Sequence, residues 1–199
     1  MESRTAIPVP SDRMLWLLQA FEEEMGPHGL RLILKQAGLE EDYTYMERYP
    51  AAVGWYSHDC ARLLHAVRLY YGMGARGTLI RMGRRIFQLY TTRHRLRSAG
   101  RRALYLLLPP SLRKAVALRD LAERMGEPGS VTLQRENDVV WLVDRGSERT
   151  YGSSASAPSC WTAIGEIAEC IMWATGQEPL VTEVNCRLTG AESCRFEIR

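Results

Sequence analysis

Three of the five cysteines are placed for thiol chemistry. Cys160 lies in a loop just ahead of a helical stretch, and Cys186 and Cys194 lie on the two arms of a hairpin near the C-terminus. Counted outward from Thr189-Gly190-Ala191-Glu192-Ser193, the last two fall close to opposite each other, which brings both side chains to one face. Val184, Leu188, Phe196 and Ile198 are expected on that same face, so the pair is expected to be largely buried. Two opposed thiols in a reducing setting suit either a metal or a plain core pair. Glu183 precedes Cys186 by three residues, an offset that sends the two side chains to opposite faces of an ideal strand. Its carboxylate can join the thiols only if the strand bulges. Cys60 and Cys170 sit on apolar helical faces and read as core.

Other chemistry is thin. The histidines are His28, His58, His65 and His94. His58-Asp59-Cys60 juxtaposes a base, an acid and a thiol, but consecutive residues do not face one another on a helix. His65 is a helical histidine of the kind that could ligate haem, and reads more simply as a partly buried helix residue. Gly72-x-Gly74-x-x-Gly77 matches a dinucleotide fingerprint in spacing only, because it follows a helix and not a strand. No Ser-His-Asp arrangement or phosphate loop is visible, so no enzymatic activity is expected. Trp55, Tyr56, Tyr70, Tyr71, Phe87, Tyr90, Tyr105, Trp141 and Trp161 are mostly core by pattern, with the capacity to line a cavity between helices and sheet.

The elements that must position these residues follow from periodicity. Residues 1–12 form a loose lead-in with Pro8 and Pro10. Ser11 or Asp12 can cap a helix from Met14 to Met25, which Gly26-Pro27 stops. A second helix spans Gly29 to Ala37, and residues 39–50 read as a loop. Helices are expected over 57–71, 78–91, 102–108 and from Pro109-Pro110 to Met125. From Ser130 the period shortens to two: Val131–Arg135 and Val139–Val143 form a hairpin, Trp161–Ala174 a helix, and Leu180–Leu188 with Cys194–Ile198 a second hairpin. The class is α+β, with N-terminal helices packed on a C-terminal antiparallel sheet in a hairpin-helix-hairpin order. One domain is expected over 13–199.

Charge is segregated. The chain of 199 residues carries 26 basic and 23 acidic residues, yet from Cys60 to Arg119 there is no acid and there are fourteen basic residues. All basic residues except Lys35 and Lys114 are arginine. The simplest reading pairs these arginines with acidic segments such as Glu22-Glu23-Glu24 and Glu40-Glu41-Asp42; part of Arg81 to Arg102 is nevertheless expected to form an exposed basic face for an acidic partner or an anionic ligand head group. Nucleic acid is disfavoured, because no helix-turn-helix, zinc-finger or RNA-recognition signature accompanies it. No stretch approaches the length of a membrane span, and the N-terminus has no apolar leader, so a cytoplasmic protein is expected.

The tail E-V-N-C-R-L-T-G-A-E-S-C-R-F-E-I resembles the C-terminal signature of the 4-vinyl reductase domain family, small-molecule-binding domains of the nitric-oxide-signalling/Golgi-transport fold. The resemblance covers the last 70 residues well. It runs more loosely upstream through Gly29-Leu30-Arg31 and Tyr71-Gly72-Met73-Gly74 to Arg84. It implies kinship in shape with vesicle-tethering subunits and haem NO-binding domains. The family's phenol-responsive sensory domains hold a structural zinc, and the matching positions here are Cys160, Glu183, Cys186 and Cys194. Trp141 matches loosely a tryptophan that holds the phenol hydroxyl, while the histidine that accompanies it has no counterpart. The resemblance thus implies a zinc-stabilised sensor or carrier domain for an apolar or aromatic ligand, with Trp141, Tyr90 and Phe87 at the pocket. It also implies a homodimer that signals to a separate partner. A tetrapyrrole-binding accessory protein of bacteriochlorophyll synthesis and a tethering-type adaptor are the alternatives.

Overall fold

The computed structural model describes residues 8–9, 11–39, 55–136 and 139–199. Most of the loop expected over 39–50 and the hairpin residues Asn137 and Asp138 lie outside these. The elements in order are β1 (Pro8–Val9), α1 (Ser11–Ala37), β2 (Trp55–Tyr56), α2 (Ser57–Tyr71), α3 (Ala75–Arg93), α4 (Arg95–Leu106) and α5 (Pro110–Met125). There follow β3 (Val131–Glu136), β4 (Val139–Asp144), α6 (Trp161–Thr175), β5 (Val181–Asn185) and β6 (Cys194–Ile198). The α+β class with helices first and an antiparallel sheet last is the one expected.

The lead-in is shorter than expected, because Pro8–Val9 pairs antiparallel with Trp55–Tyr56 and the helix begins at Ser11. The expected stop at Gly26-Pro27 is a kink inside α1: Gly26 takes φ 75°, a conformation that glycine reaches without a Cβ penalty. The largest difference is α4, which starts at Arg95 and so fills most of the gap expected between the helices over 78–91 and 102–108, Ser98-Ala99-Gly100 included. Nothing lies within 4 Å of where a Cβ on Gly100 would be. The buried Ser98 and Tyr105 hold the helix on its inner side.

Two cores result. The first joins α1, α2 and α3 around Phe21, Leu34, Leu63, Leu79 and Met82. The second joins α5, α6 and the sheet around Leu118, Leu142, Ile167 and Phe196. The sheet order is β3-β4-β6-β5, antiparallel throughout. The halves meet where α3 crosses α6. Gly83 and Gly165 carry no side chains there, so the two backbones touch.

Candidate functional site

The loop before α6 and the last hairpin bring the four expected thiol-site residues together. Cys160 Sγ lies 3.6 Å from Cys186 Sγ and 3.5 Å from Cys194 Sγ. With a carboxylate oxygen of Glu183, the four donor atoms fall within 4.8 Å of one another. The required strand irregularity is present: the β5–β6 register shifts between Glu183 and Asn185. The same bulge turns Val184 outward into solvent, contrary to its expected place on the inner face, while Leu188, Phe196 and Ile198 stay buried.

Glu183 Oε2 accepts the Cys160 N–H at 2.9 Å, whereas Oε1 is buried without a partner. Burial foremost, then the neighbouring Cys186, pushes its carboxyl up to about 8. The Cys186 thiol is held well below its ordinary range by the closeness of the Cys160 and then the Cys194 sulfur. Cys160 is pushed up by its contacts with Cys186 and Cys194 and then by burial. From α2, the Arg68 Nη2 donates to Ser159 O at 3.2 Å, and its buried Nε has no partner. Burial lowers the Arg68 pKa, opposed by the negative charge of Cys160, Cys186 and Glu183. The arrangement is a three-sulfur, one-oxygen set facing one guanidinium, a donor chemistry that suits soft or borderline cations.

The second feature is a narrow cavity of about 40 Å³ between the N-terminal helices, α5 and α6. Met14, Trp16, Leu64, Ile86, Phe87 and Tyr90 form much of its apolar wall, and Arg13, Arg124, Arg149 and Glu166 are its charged groups. Arg149 Nη2 and Glu166 Oε1 make a buried ion pair at 2.6 Å. The Arg124 guanidinium stacks 3.9 Å from the Tyr90 ring centre and 5.3 Å from that of Phe87. Its Nε donates to Asp120 O at 2.8 Å, and Arg13 donates to its carbonyl. Trp16 meets Tyr90 edge-on at 5.5 Å.

Of the three expected pocket aromatics, Phe87 and Tyr90 line this cavity and Trp141 does not. Side chains alternate along a strand, so Leu142 entering the core sends Trp141 to the other face of the sheet, where Arg195 stacks on it at 4.6 Å. Trp16, Arg124, Arg149 and Glu166 are site residues that pattern reading missed. A signal existed for one of them: Glu166 and Glu169 are the only acids in the otherwise apolar α6. His65 points to solvent. Among the described residues His94 is the one histidine beside the cavity, tilted against Tyr90 at 4.9 Å and edge-on to Trp16 at 6.1 Å.

The basic stretch divides. Arg81 pairs with Glu24, Arg85 with Glu23, and Arg84 with both Glu178 and Glu169. Arg93, Arg95, Arg97 and Arg102 are exposed and have no acidic partner among the described residues.

Comparison with solved structures places this fold. An H-NOX protein from Shewanella oneidensis in the Fe(II)NO ligation state matches with a TM-score of 0.50 at 14% identity, over 92% of this chain and 97% of that one. A doubly substituted Tt H-NOX matches with a TM-score of 0.54 at 14% identity, over 96% of this chain and 93% of that one. Likeness at this identity establishes the fold, which is that of H-NOX domains. No family model and no curated protein matches the chain.

Two expectations are corrected by these findings. Membership of the 4-vinyl reductase family is not upheld, since no model of it matches and the structures sharing the fold are H-NOX domains. The tail that suggested it is a hairpin with two inward cysteines, a pattern a shared fold permits without reserving it to one family. The structural zinc falls with it, because that family's ligand set carried it, whereas the S. oneidensis neighbour is described by an Fe(II) ligation state. The cleft of this chain does not fit an iron macrocycle in turn. No histidine is among its lining residues, and a cavity of about 40 Å³ is too narrow for a macrocycle.

Proposed function

We propose that the chain is a small-molecule-binding sensor domain, not an enzyme, that takes its ligand in the cleft between the two cores and signals to a separate partner. The observation that carries this reading is the cleft itself: an apolar wall of Trp16, Ile86, Phe87 and Tyr90 with Arg124 stacked at its edge, in the H-NOX fold. A small apolar or aromatic molecule with an anionic group matches that lining. His94 meets Trp16 edge-on and Tyr90 at a tilt and immediately precedes α4, so a ligand that shifts either ring displaces the α3–α4 junction. That junction is the route by which the ligand state reaches the surface.

The test is calorimetric titration with benzoate, a small aromatic anion. Saturable binding at one site, abolished by the cleft-filling Ile86→Trp in a protein of unchanged circular dichroism, is the expected result. No binding, or equal binding by the variant, overturns it. A Soret band in protein purified from its host assigns the cleft to a tetrapyrrole instead.

Two finer points belong to the same reading. The Cys160, Glu183, Cys186 and Cys194 set is proposed as a site for a soft cation, no particular metal being implied. Native mass spectra before and after chelation test it, and identical masses reject it. A homodimer is proposed as the assembly, for which light scattering should return about twice 22.6 kDa.

A further inference from the structure

Helix α4 is built inside out. Its buried edge holds only Ser98 and Tyr105, with the Tyr105 hydroxyl donating to Asp120 and Arg101 3.3 Å from the same carboxylate. At 3.6 residues per turn, the side opposite that edge carries Leu96, Ala99, Gly100, Ala103, Leu104 and Leu107. These face solvent: Leu96 is 91% and Leu107 is 81% exposed. Arg97 and Arg101 flank the stripe along one border, and Arg95 and Arg102 along the other. Beyond the helix end, Leu107 and the exposed Leu112 at the start of α5 extend the apolar patch. An ordinary surface helix turns its apolar stripe to the core and its charges outward; this one does the reverse.

We propose that α4 is an interfacial helix that seats the domain on an anionic lipid surface. Charge decides the occupant. No acid occurs between Cys60 and Arg119, and Arg93, Arg95, Arg97 and Arg102 have no acidic partner among the described residues. A second copy of the chain would set arginine against arginine across the stripe. Nucleic acid offers no counterpart to the leucines. An anionic bilayer accepts both parts at once: the leucines enter the boundary of the acyl region, and arginines on both borders reach sideways to the head groups. No described helix is long and apolar enough to cross a membrane, so the contact lies in the interface plane. This assignment does not depend on what occupies the cleft.

The test is co-sedimentation of the full chain with vesicles of phosphatidylcholine alone and with about 30% phosphatidylglycerol, at low and at physiological salt. The expected result is binding to the anionic vesicles only, weakened by salt. Leu96→Asp/Leu107→Asp should weaken it about tenfold or more, and so should Arg95→Gln/Arg97→Gln/Arg102→Gln. All five positions are exposed, and unchanged melting curves establish that both variants are folded. Equal binding to neutral and anionic vesicles, or anionic binding that survives the leucine changes, overturns the proposal. So does an absence of vesicle binding while an acidic amphipathic peptide binds, which assigns the stripe to a protein helix.

Discussion

Gly83 of α3 and Gly165 of α6 face each other at the crossing of the two helices. A Cβ on Gly165 would stand 3.0 Å from the Gly83 Cα and would overlap the carbonyl oxygen of Ile80, and one on Gly83 would overlap that of Thr162. The obstructing atoms are all backbone, so no side-chain rotation relieves the overlap. Alanine at either position is expected to cost about 3 kcal/mol or more, since the helices must separate along the seam joining the two cores. Gly100→Ala in α4, where the space is open, should be neutral or stabilising by about 0.5–1 kcal/mol. Denaturant unfolding of the three variants measures the contrast, and equal effects would remove the seam from this account.

The Arg149–Glu166 pair is nearly inaccessible on both sides, at 7% and 9% of side-chain exposure. Glu166→Leu leaves a buried guanidinium without its carboxylate, for an expected loss of about 3–5 kcal/mol. Arg149→Met combined with Glu166→Leu should recover most of that loss, because the desolvation penalty of both charges disappears together. A double variant no more stable than the single one would show that the pair contributes through packing alone.

Oxidation should distinguish the cysteines. Peroxide is expected to join Cys160 to Cys186 or Cys194, whose sulfurs already lie within 3.6 Å. Two thiols give up two protons and two electrons, and the peroxide leaves as two waters. Cys170 donates to Ala117 O at 3.4 Å, and burial pushes its thiol up to about 12, so it should stay reduced. Peptide mapping of oxidised protein that finds Cys170 in a disulfide would contradict this.

The arginines should separate into two groups. Arg93→Gln/Arg95→Gln/Arg97→Gln should leave stability within about 0.5 kcal/mol, as these side chains reach no acid among the described residues. Arg84→Gln removes a bridge between Glu169 of α6 and Glu178, for an expected cost of about 1 kcal/mol. Thermal unfolding of both variants is the measurement, and a large loss in the triple variant would make those arginines internal pairing residues.

Periodicity and punctuation were enough to determine the α+β order, the two hairpins and the helices over 57–71 and 161–174, because each depends on residues adjacent in the chain. Of the thiol set, the opposed Cys186 and Cys194 were legible in the hairpin, and so was the bulge that Glu183 needs to join them. Cys160 was tied to them only by the family resemblance, because nothing local connects its loop to the hairpin. The family assignment was not safe on the same tail, since a hairpin motif reports local geometry that unrelated members of one fold can share. Tertiary structure alone decided the cleft. Trp16, Arg124, Arg149 and Glu166 are separated by up to 150 positions and converge only when α1, α5 and α6 pack around the cavity. It also decided which arginines are paired and which face of α4 is outward. Both depend on what packs against a helix from elsewhere in the chain, and no local pattern carries that information.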